Sequence, residues 1–344
     1  MATATDNAPS SWPTVGRAVA LLTVIISVLL TAFSWPSVRS SVHDVPIAVA
    51  GPSAATDQVR AALEQRLPGA FDISTVADTA AAEQLIRDRE VYGAIDVSAG
   101  TPQVITATAA SAAIAQTLQN VGAALSQSHA QDAGTPAAVR DLVALPADDP
   151  RGAGLAAGAL PLVLGGILTA VLLTRLVRGT GRRITGALAF AVTGGLAMAA
   201  ILQFWLGSLD GSYLANTGAI ALTIAATSLT ILGLESLLGY AGFGIGAATM
   251  MLVGNPLSGT STAPQMLPGW SGQLGQLLPP GAGGQLLRST AFFDGHGAAH
   301  SIIVLSAWLA AGVVLCAIGG LRSRQRPATP TADATVRPVE PATA

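Results

Sequence analysis

Six apolar segments, most of them long enough to cross a lipid bilayer as a helix, constrain this chain more than any other feature. A hydrocarbon core about 30 Å thick needs about 20 apolar residues in helical form, because no water is present there to satisfy the backbone. These segments predict an α-helical polytopic membrane protein with six transmembrane helices. They cover residues 15–35, 155–174, 184–206, 213–234, 237–253 and 301–321.

Charge is distributed unevenly along the 344 residues. Only 10% of the chain is charged, against about 25% in soluble domains, and the charges concentrate between residues 39 and 152. The net charge of −2 gives no basic field for nucleic acid, so no nucleic-acid partner is expected. No small-x-small cleavage site follows the first apolar segment, which favours an uncleaved anchor over a signal peptide.

The arginines between the second and third apolar segments predict the orientation. Arg175, Arg178, Arg182 and Arg183 lie there without an acidic residue, and further arginines follow the sixth segment. Short loops that are rich in arginine stay in the cytoplasm. The expected protein is therefore a multi-pass protein of the plasma membrane with both termini cytoplasmic. Its N-terminal tail is 1–14, and residues 322–344 form a disordered cytoplasmic tail.

Residues 39–152 are then an extracytoplasmic domain between the first and second transmembrane helices, and their pattern is α/β. Alternation of strand and helix patterns predicts a small sheet with helices packed on it. The Thr56-Asp57 pair is expected to cap the first helix, and 126–136 to be a linker. The predicted strands are 45–49, 71–76, 92–97, 103–108 and 139–145, and the predicted helices are 58–67, 79–89 and 109–125.

The transmembrane domain, 155–321, contains one segment that is too polar and too rich in Gly and Pro to cross. Residues 254–300 are expected to form an external re-entrant segment with two short helices. Arg288 and Asp294 in this segment either pair with each other or meet an anionic substrate or lipid headgroup. Glu235 either lies in water at a cytoplasmic turn or has a proton or substrate role.

Nothing in the sequence indicates an enzyme. Lysine is absent, which excludes a Walker A lysine, and no GxSxG elbow or nucleophile-base pair is present. His296 and His300 are four residues apart, but no further metal-ligand pattern surrounds them. We therefore expect no catalytic residues, cofactor or metal.

The order of several short motifs resembles the ABC-2-type transporter permease superfamily, in particular its branch related to the phage infection protein (Pip). The likeness covers nearly the whole chain from Val15 to Leu321. The motifs that carry it are the segments 45–49 (VPIAV), 91–95 (VYGAI), 145–152 (LPADDPRG), 254–259 (GNPLSG), 278–282 (LPPGA) and 287–289 (LRS).

The resemblance implies a permease subunit that exports a lipid-like or amphipathic substrate as a homo- or heterodimer, with a separate cytoplasmic ATPase subunit. It implies ATPase docking at Arg175, Arg178, Arg182 and Arg183. Candidates for the substrate path or gate are Glu235, Asn255, Pro256, Arg288 and Asp294. Members of this branch often have no known ATPase, so the alternative is a non-transporting cell-envelope scaffold or surface receptor.

Overall fold

The computed structural model of the chain describes residues 11–99, 102–133 and 138–325. It is mostly helical and combines a helical bundle with a small sheet domain. In chain order the helices are α1 (Trp12–Val38), α2 (Ser53–Arg66), α3 (Thr79–Arg87), α4 (Ala112–Ala133), α5 (Ala153–Leu176), α6 (Thr180–Ala200), α7 (Tyr213–Leu238), α8 (Tyr240–Ala248), α9 (Ser271–Gln276), α10 (Pro279–Phe292) and α11 (Ala299–Gln325). A π-helical turn, Ile201–Trp205, continues α6, and another, Thr249–Gly254, continues α8.

The sheet has five strands, which are β1 (Val45–Ala50), β2 (Phe71–Val76), β3 (Gly93–Asp96), β4 (Gln103–Thr106) and β5 (Ala138–Asp141). Their spatial order is β2-β1-β3-β4-β5, and β1 runs parallel to both β2 and β3. β4 is antiparallel to β3 and parallel to β5. The predicted α/β character of 39–152 is therefore confirmed.

Helices cover both faces of the sheet. On one face Leu63 of α2 and Leu118 of α4 pack on Ile47 and Ile95. On the other face Ile86 of α3 joins a second apolar cluster. Alternate residues of a strand point to opposite faces, so the nearly uninterrupted apolar run of β1 supplies both clusters.

Three predicted boundaries in this domain are wrong. α2 begins at Ser53 rather than after Thr56-Asp57, and the Thr56 hydroxyl donates to the Ser53 carbonyl instead of capping. α4 continues to Ala133 through most of the predicted linker, while 134–137 lie outside the described residues. β5 is shorter than the predicted strand because it ends at Asp141.

Five helices of the described residues are long and apolar enough to cross a membrane, namely α1, α5, α6 with its π turn, α7 and α11. α7 is the central helix, with 78% of its most apolar window buried, and it packs against α5, α6, α10 and α11. No part of the corresponding window of α1 is buried. α11 continues to Gln325, so residues 322–325 of the predicted tail are helical, and residues 1–10 and 326–344 lie outside the described part.

The two ends of the bundle differ in character. One end, which we call the domain end, contacts the sheet domain: Phe293 beyond α10 is buried in the cluster around Ile86, and Met266 accepts a hydrogen bond from the Ser41 amide. The opposite end, which we call the arginine end, carries the α5–α6 connection with Arg178 and Arg182, and the turn at Gly239.

The fifth predicted span is a shorter helical segment. Its nine residues of α-helix and six of π-helix from Tyr240 to Gly254 reach about 22 Å, less than a bilayer core. The segment starts at the arginine end and stops where Gly254 meets Pro280, the second residue of α10. A Cβ added to Gly254 would lie only 2.7 Å from the Pro280 ring.

From that meeting point α10 continues to the domain end alongside α7. Gly283 lies so close to Thr223 that an added Cβ would be 2.4 Å from the Thr223 methyl carbon, and Thr290 donates to Asn216 at 2.8 Å. Thr223 is ten residues, or about 15 Å, into α7 from the domain end. Tyr240–Gly254 and α10 therefore form two halves of one path along the bundle, which we call the discontinuous span.

Candidate functional site

A polar cavity lies where the sheet domain meets the domain end of the bundle. This cavity of about 570 Å³, which we call the junction cavity, separates the two parts there. Its walls come from the loop before β1, the loop after α3, the excursion between the two halves of the discontinuous span, and α10 and α11. Its lining includes the side chains of His43, Asp44, Arg89, Tyr92, Gln285 and His300.

Arg89 joins the sheet domain to α10 across this cavity. It donates to the Gln285 carbonyl at 3.1 Å, to Gln285 Oε1 at 2.7 Å and to the Ser289 hydroxyl. Its guanidinium carbon also lies 5.1 Å from the centre of the Phe293 ring, a cation–π distance. All of these partners are neutral, and burial lowers the pKa of Arg89 from its ordinary value.

Arg288, one of the predicted substrate-path residues, is buried one residue before Ser289. Its side chain is 6% exposed, and Nη2 donates to the Thr260 carbonyl at 2.8 Å. The expected alternative in which Arg288 pairs with Asp294 is wrong, because Asp294 is exposed and the ion pairs of the described residues do not join the two.

Tyr92 closes the cavity on the sheet side. Its hydroxyl donates to Gln265 Oε1 at 2.7 Å, which ties β3 to the excursion that follows Gly254. Burial raises the pKa of Tyr92, so the phenol is a neutral hydrogen-bond donor under ordinary conditions. Sequence reasoning missed Arg89 and Tyr92 because their partners lie more than 170 residues away along the chain.

Asn255 and Pro256 line a second, smaller cavity. It holds about 280 Å³ and lies between the end of α1, the start of α5 and the loop after Gly254. Asn255 begins the excursion at the break of the discontinuous span, which is where the backbone leaves helical geometry. The structure thus places these two predicted residues beside the break, on the α1 side and apart from the junction cavity.

At the arginine end the four predicted docking residues divide into two groups. Arg175, Arg178 and Arg182 are exposed, and the last two border a recess of about 790 Å³ with the end of α11. Arg183 turns inward instead. It donates to the Val177 carbonyl at 2.8 Å and to the Thr174 carbonyl at 3.0 Å, so it satisfies the backbone at the end of α5.

Glu235 is the carboxylate that faces Arg183. The two side chains form an ion pair at 3.2 Å, and they are 18% and 26% exposed, respectively. Glu235 lies in the last turn of α7 and not in the turn that follows this helix. Its ion pair with Arg183 also means that it is not an unpaired charge within the bundle. The pair connects the α5–α6 connection to the central helix, and Glu235 is thereby assigned a structural contact.

Comparisons of this chain with family models, with curated proteins and with solved structures found no match. The class of molecule is therefore defined by its own fold. Five helices able to cross a membrane and a sheet domain at one end are compatible with a multi-pass membrane protein.

Proposed function

We propose that the protein is the membrane permease subunit of an ABC-2-type export system that moves a lipid-like or amphipathic compound outward. The observation that carries the proposal is the discontinuous span. In transporters, paired half-helices that end near mid-membrane form the substrate path, because irregular backbone at that depth is tolerated only where protein or a water-filled cavity surrounds it. Here the break lies between Gly254 and Pro280, with a polar cavity beside it.

In this proposal the discontinuous span is the fifth crossing in chain order and brings the total to six. The chain leaves α7 at the arginine end, and Met266 then contacts Ser41 at the domain end. One crossing is therefore completed between α7 and α11, even though Tyr240–Gly254 alone is too short. With the arginine end in the cytoplasm, six crossings put both termini inside and the sheet domain outside the cell.

The energy source in this proposal is a separate ATPase that docks on Arg175, Arg178 and Arg182. These three arginines are exposed around the short α5–α6 connection, beside the recess that α11 borders. Arg183 has an internal role in this scheme, since its donors are already occupied by α5 and Glu235. A dimer is also part of the proposal, and α1, whose apolar face is unburied, is the helix available for it.

The test is ATP hydrolysis associated with the tagged full-length chain, purified from its native membranes. We expect Mg²⁺-dependent ATPase activity to co-purify and to rise when amphipathic compounds are added in liposomes. The variant Arg178→Glu with Arg182→Glu should lose it. The matched control is Arg39→Glu, an exposed arginine at the domain end, which should retain it.

The alternative function is a non-transporting envelope scaffold or surface receptor. The exposed strand β5 at the sheet edge favours it, since an open edge is a surface for strand addition by a partner protein. If the purified chain carries no ATPase activity, or if reversal of Arg178 and Arg182 leaves that activity unchanged, the export proposal fails and the receptor reading replaces it.

A further inference from the structure

The junction cavity contains an excess of positive charge that the protein itself does not neutralise. Arg89 faces the cavity, and Arg288, which does not line it, is buried one residue before Ser289, a hydrogen-bond partner of Arg89. In the described part of the chain neither arginine forms an ion pair with a carboxylate, and every hydrogen-bond acceptor they reach is neutral. A buried cation without a counter-charge is unfavourable, so this arrangement needs an explanation.

The acidic residues nearby do not supply the missing charge. Asp88 contacts His296 Nδ1 at 2.8 Å and forms no ion pair with Arg89. Asp44 is exposed at the rim of the cavity, and Asp294 is exposed on the turn after α10. Asp44 is thus the carboxylate of the described cavity lining, and it forms no ion pair with Arg89.

Two hydrogen-bond donors in the same cluster also lack acceptors. Arg288 Nε and Gln285 Nε2 are both buried, and neither has a partner within the described residues. Unsatisfied buried donors are rare in folded proteins. They lie on α10 three residues apart, on the same side as the Arg89 contact with Gln285 and Ser289. Neither atom is open to the cavity, so what the cavity itself lacks is a negative charge beside Arg89, which an anion with several oxygen atoms would supply.

The surroundings of the cavity suit an anion that carries an apolar part. Leu277 lines the cavity and is 53% exposed, and Trp270, next to the lining residue Gly269, is 71% exposed. The backbone carbonyl of Leu277 accepts from the Trp308 indole of α11, so this apolar edge is fixed to a membrane-length helix. An acyl chain can lie along this edge while its headgroup enters the cavity.

We propose that the junction cavity binds the carboxylate or phosphate headgroup of an amphipathic anion, held by Arg89 with support from Gln285 and Arg288. The inference goes beyond the proposed export function, because binding of this headgroup requires neither an ATPase nor transport. Anionic lipid and free oxyanion share the headgroup chemistry, and the experiment separates them.

The experiment measures binding to the purified full-length protein in detergent by native mass spectrometry. The probes are short-chain phosphatidylglycerol, short-chain phosphatidylcholine and inorganic phosphate. We expect the anionic lipid to bind at least about tenfold more tightly than the zwitterionic one, as loss of a charge-assisted contact predicts. If inorganic phosphate binds as tightly as phosphatidylglycerol, the site is assigned to a free oxyanion instead of a lipid headgroup.

The decisive variant is Gln285→Glu, which places a carboxylate where Arg89 already donates. This change keeps the hydrogen bond and supplies the missing negative charge from within the protein. We expect the thermal midpoint to rise and the affinity for the anionic lipid to fall at least about tenfold. If Arg89 only holds the sheet domain to the bundle, Gln285→Glu should raise the thermal midpoint without changing the affinity for the anionic lipid.

Arg89→Gln gives the converse test, and Arg87→Gln is its control. Arg87 is an exposed arginine two residues earlier on α3 whose ion pair with Glu83 is at the surface. Arg89→Gln should weaken the binding at least about tenfold, and Arg87→Gln should leave it within about twofold. The proposal is overturned if neither phosphatidylglycerol nor phosphate binds more tightly than phosphatidylcholine, or if Gln285→Glu binds the anion as the wild type does. Neither result would affect the ATPase test of export.

Discussion

At the scale of single residues, the arginines of this protein differ by what surrounds them, although the sequence presents them alike. Arg182 and Arg183 are neighbours in one short loop, yet the first is exposed and the second is used internally by α5 and Glu235. The positive-inside rule counts both equally because it describes insertion and not packing. Which arginine faces a partner could therefore not be predicted from the sequence.

The ion pair of Arg183 and Glu235 leads to a prediction for stability. Glu235→Gln should lower the free energy of unfolding by about 1–2 kcal/mol, between the values for exposed and buried pairs, because it leaves a partly buried arginine without its counter-charge. The thermal midpoint of the detergent-solubilised protein measures this. Asp57→Asn, at an exposed acid of α2, is the control and should cause no change. If Glu235→Gln lowers the free energy of unfolding by the same amount in an Arg183→Gln background, the two residues are not energetically coupled.

Asp96 at the end of β3 predicts a pH dependence of the sheet domain. Burial would raise its pKa, but hydrogen bonds from Ser98 and Thr79 outweigh burial and the pKa is lowered. A lowered folded-state pKa gives stability that is present above the unfolded value of about 3.9 and is lost as the pH falls through the folded value. Thermal unfolding followed between pH 3 and 7 should show this loss.

Thr79→Val is the variant that tests this assignment to Asp96. It removes one of the hydrogen bonds, so the variant should be less stable than the wild type above about pH 5, with a gap that narrows toward pH 3. Thr75→Val, at an exposed threonine of β2, should follow the wild-type profile. A gap that is constant over the whole range would show that Thr79 acts through packing and not through the carboxylate.

At the scale of elements, the sequence predicts what depends on local pattern. β1 and β2 are apolar or alternating runs bounded by turn residues, and both appear close to their predicted bounds. The start of α2 was misplaced because its N-cap is Pro52, which has no side-chain oxygen to signal a helix start, while the Thr-Asp pair lies inside the helix. The path of 254–300 follows from contacts with α7, α11 and the sheet domain, and no local pattern encodes these.

The close packing of α11 on α7 gives a prediction at this scale. A Cβ added to Gly312 would lie 2.5 Å from the carbonyl carbon of Leu229 and 2.6 Å from the amide nitrogen of Thr230, so the two backbones are in direct contact. Gly312→Ala should force the helices apart and cost about 1–3 kcal/mol. The thermal midpoint in detergent reports this loss.

Gly218 of α7 provides the matched control for the Gly312 variant. It also lies within a long helix, but nothing is within 4 Å of a Cβ added there. Gly218→Ala should be neutral or stabilising by up to about 1 kcal/mol, since alanine favours the helix. Equal destabilisation by the two substitutions would mean that the cost arises from the helix backbone itself and not from the α7–α11 contact.

At the scale of the whole molecule, the structure gives the bundle two unlike ends, and this asymmetry connects the proposals. The sheet domain and the junction cavity lie at one end, and the exposed arginines lie at the other. A compound bound by Arg89 at the domain end would be about one bilayer thickness from an ATPase at the arginine end. The break of the discontinuous span lies between them, which is the position that a path between the two ends requires.

This arrangement predicts that the two ends face opposite sides of the membrane, and the chain offers a simple background for testing it. Cys316 is its single cysteine and is buried in α11, so Cys316→Ala leaves no competing thiol. Asp57→Cys in the sheet domain should react with a membrane-impermeant maleimide on intact cells. Gly181→Cys in the first turn of α6 should react only after permeabilisation, because the positive-inside rule puts this end of α6 in the cytoplasm. Labelling of both cysteines from the same side would contradict the crossing of the membrane by α5, and with it the assignment of the domain end and the arginine end to opposite faces.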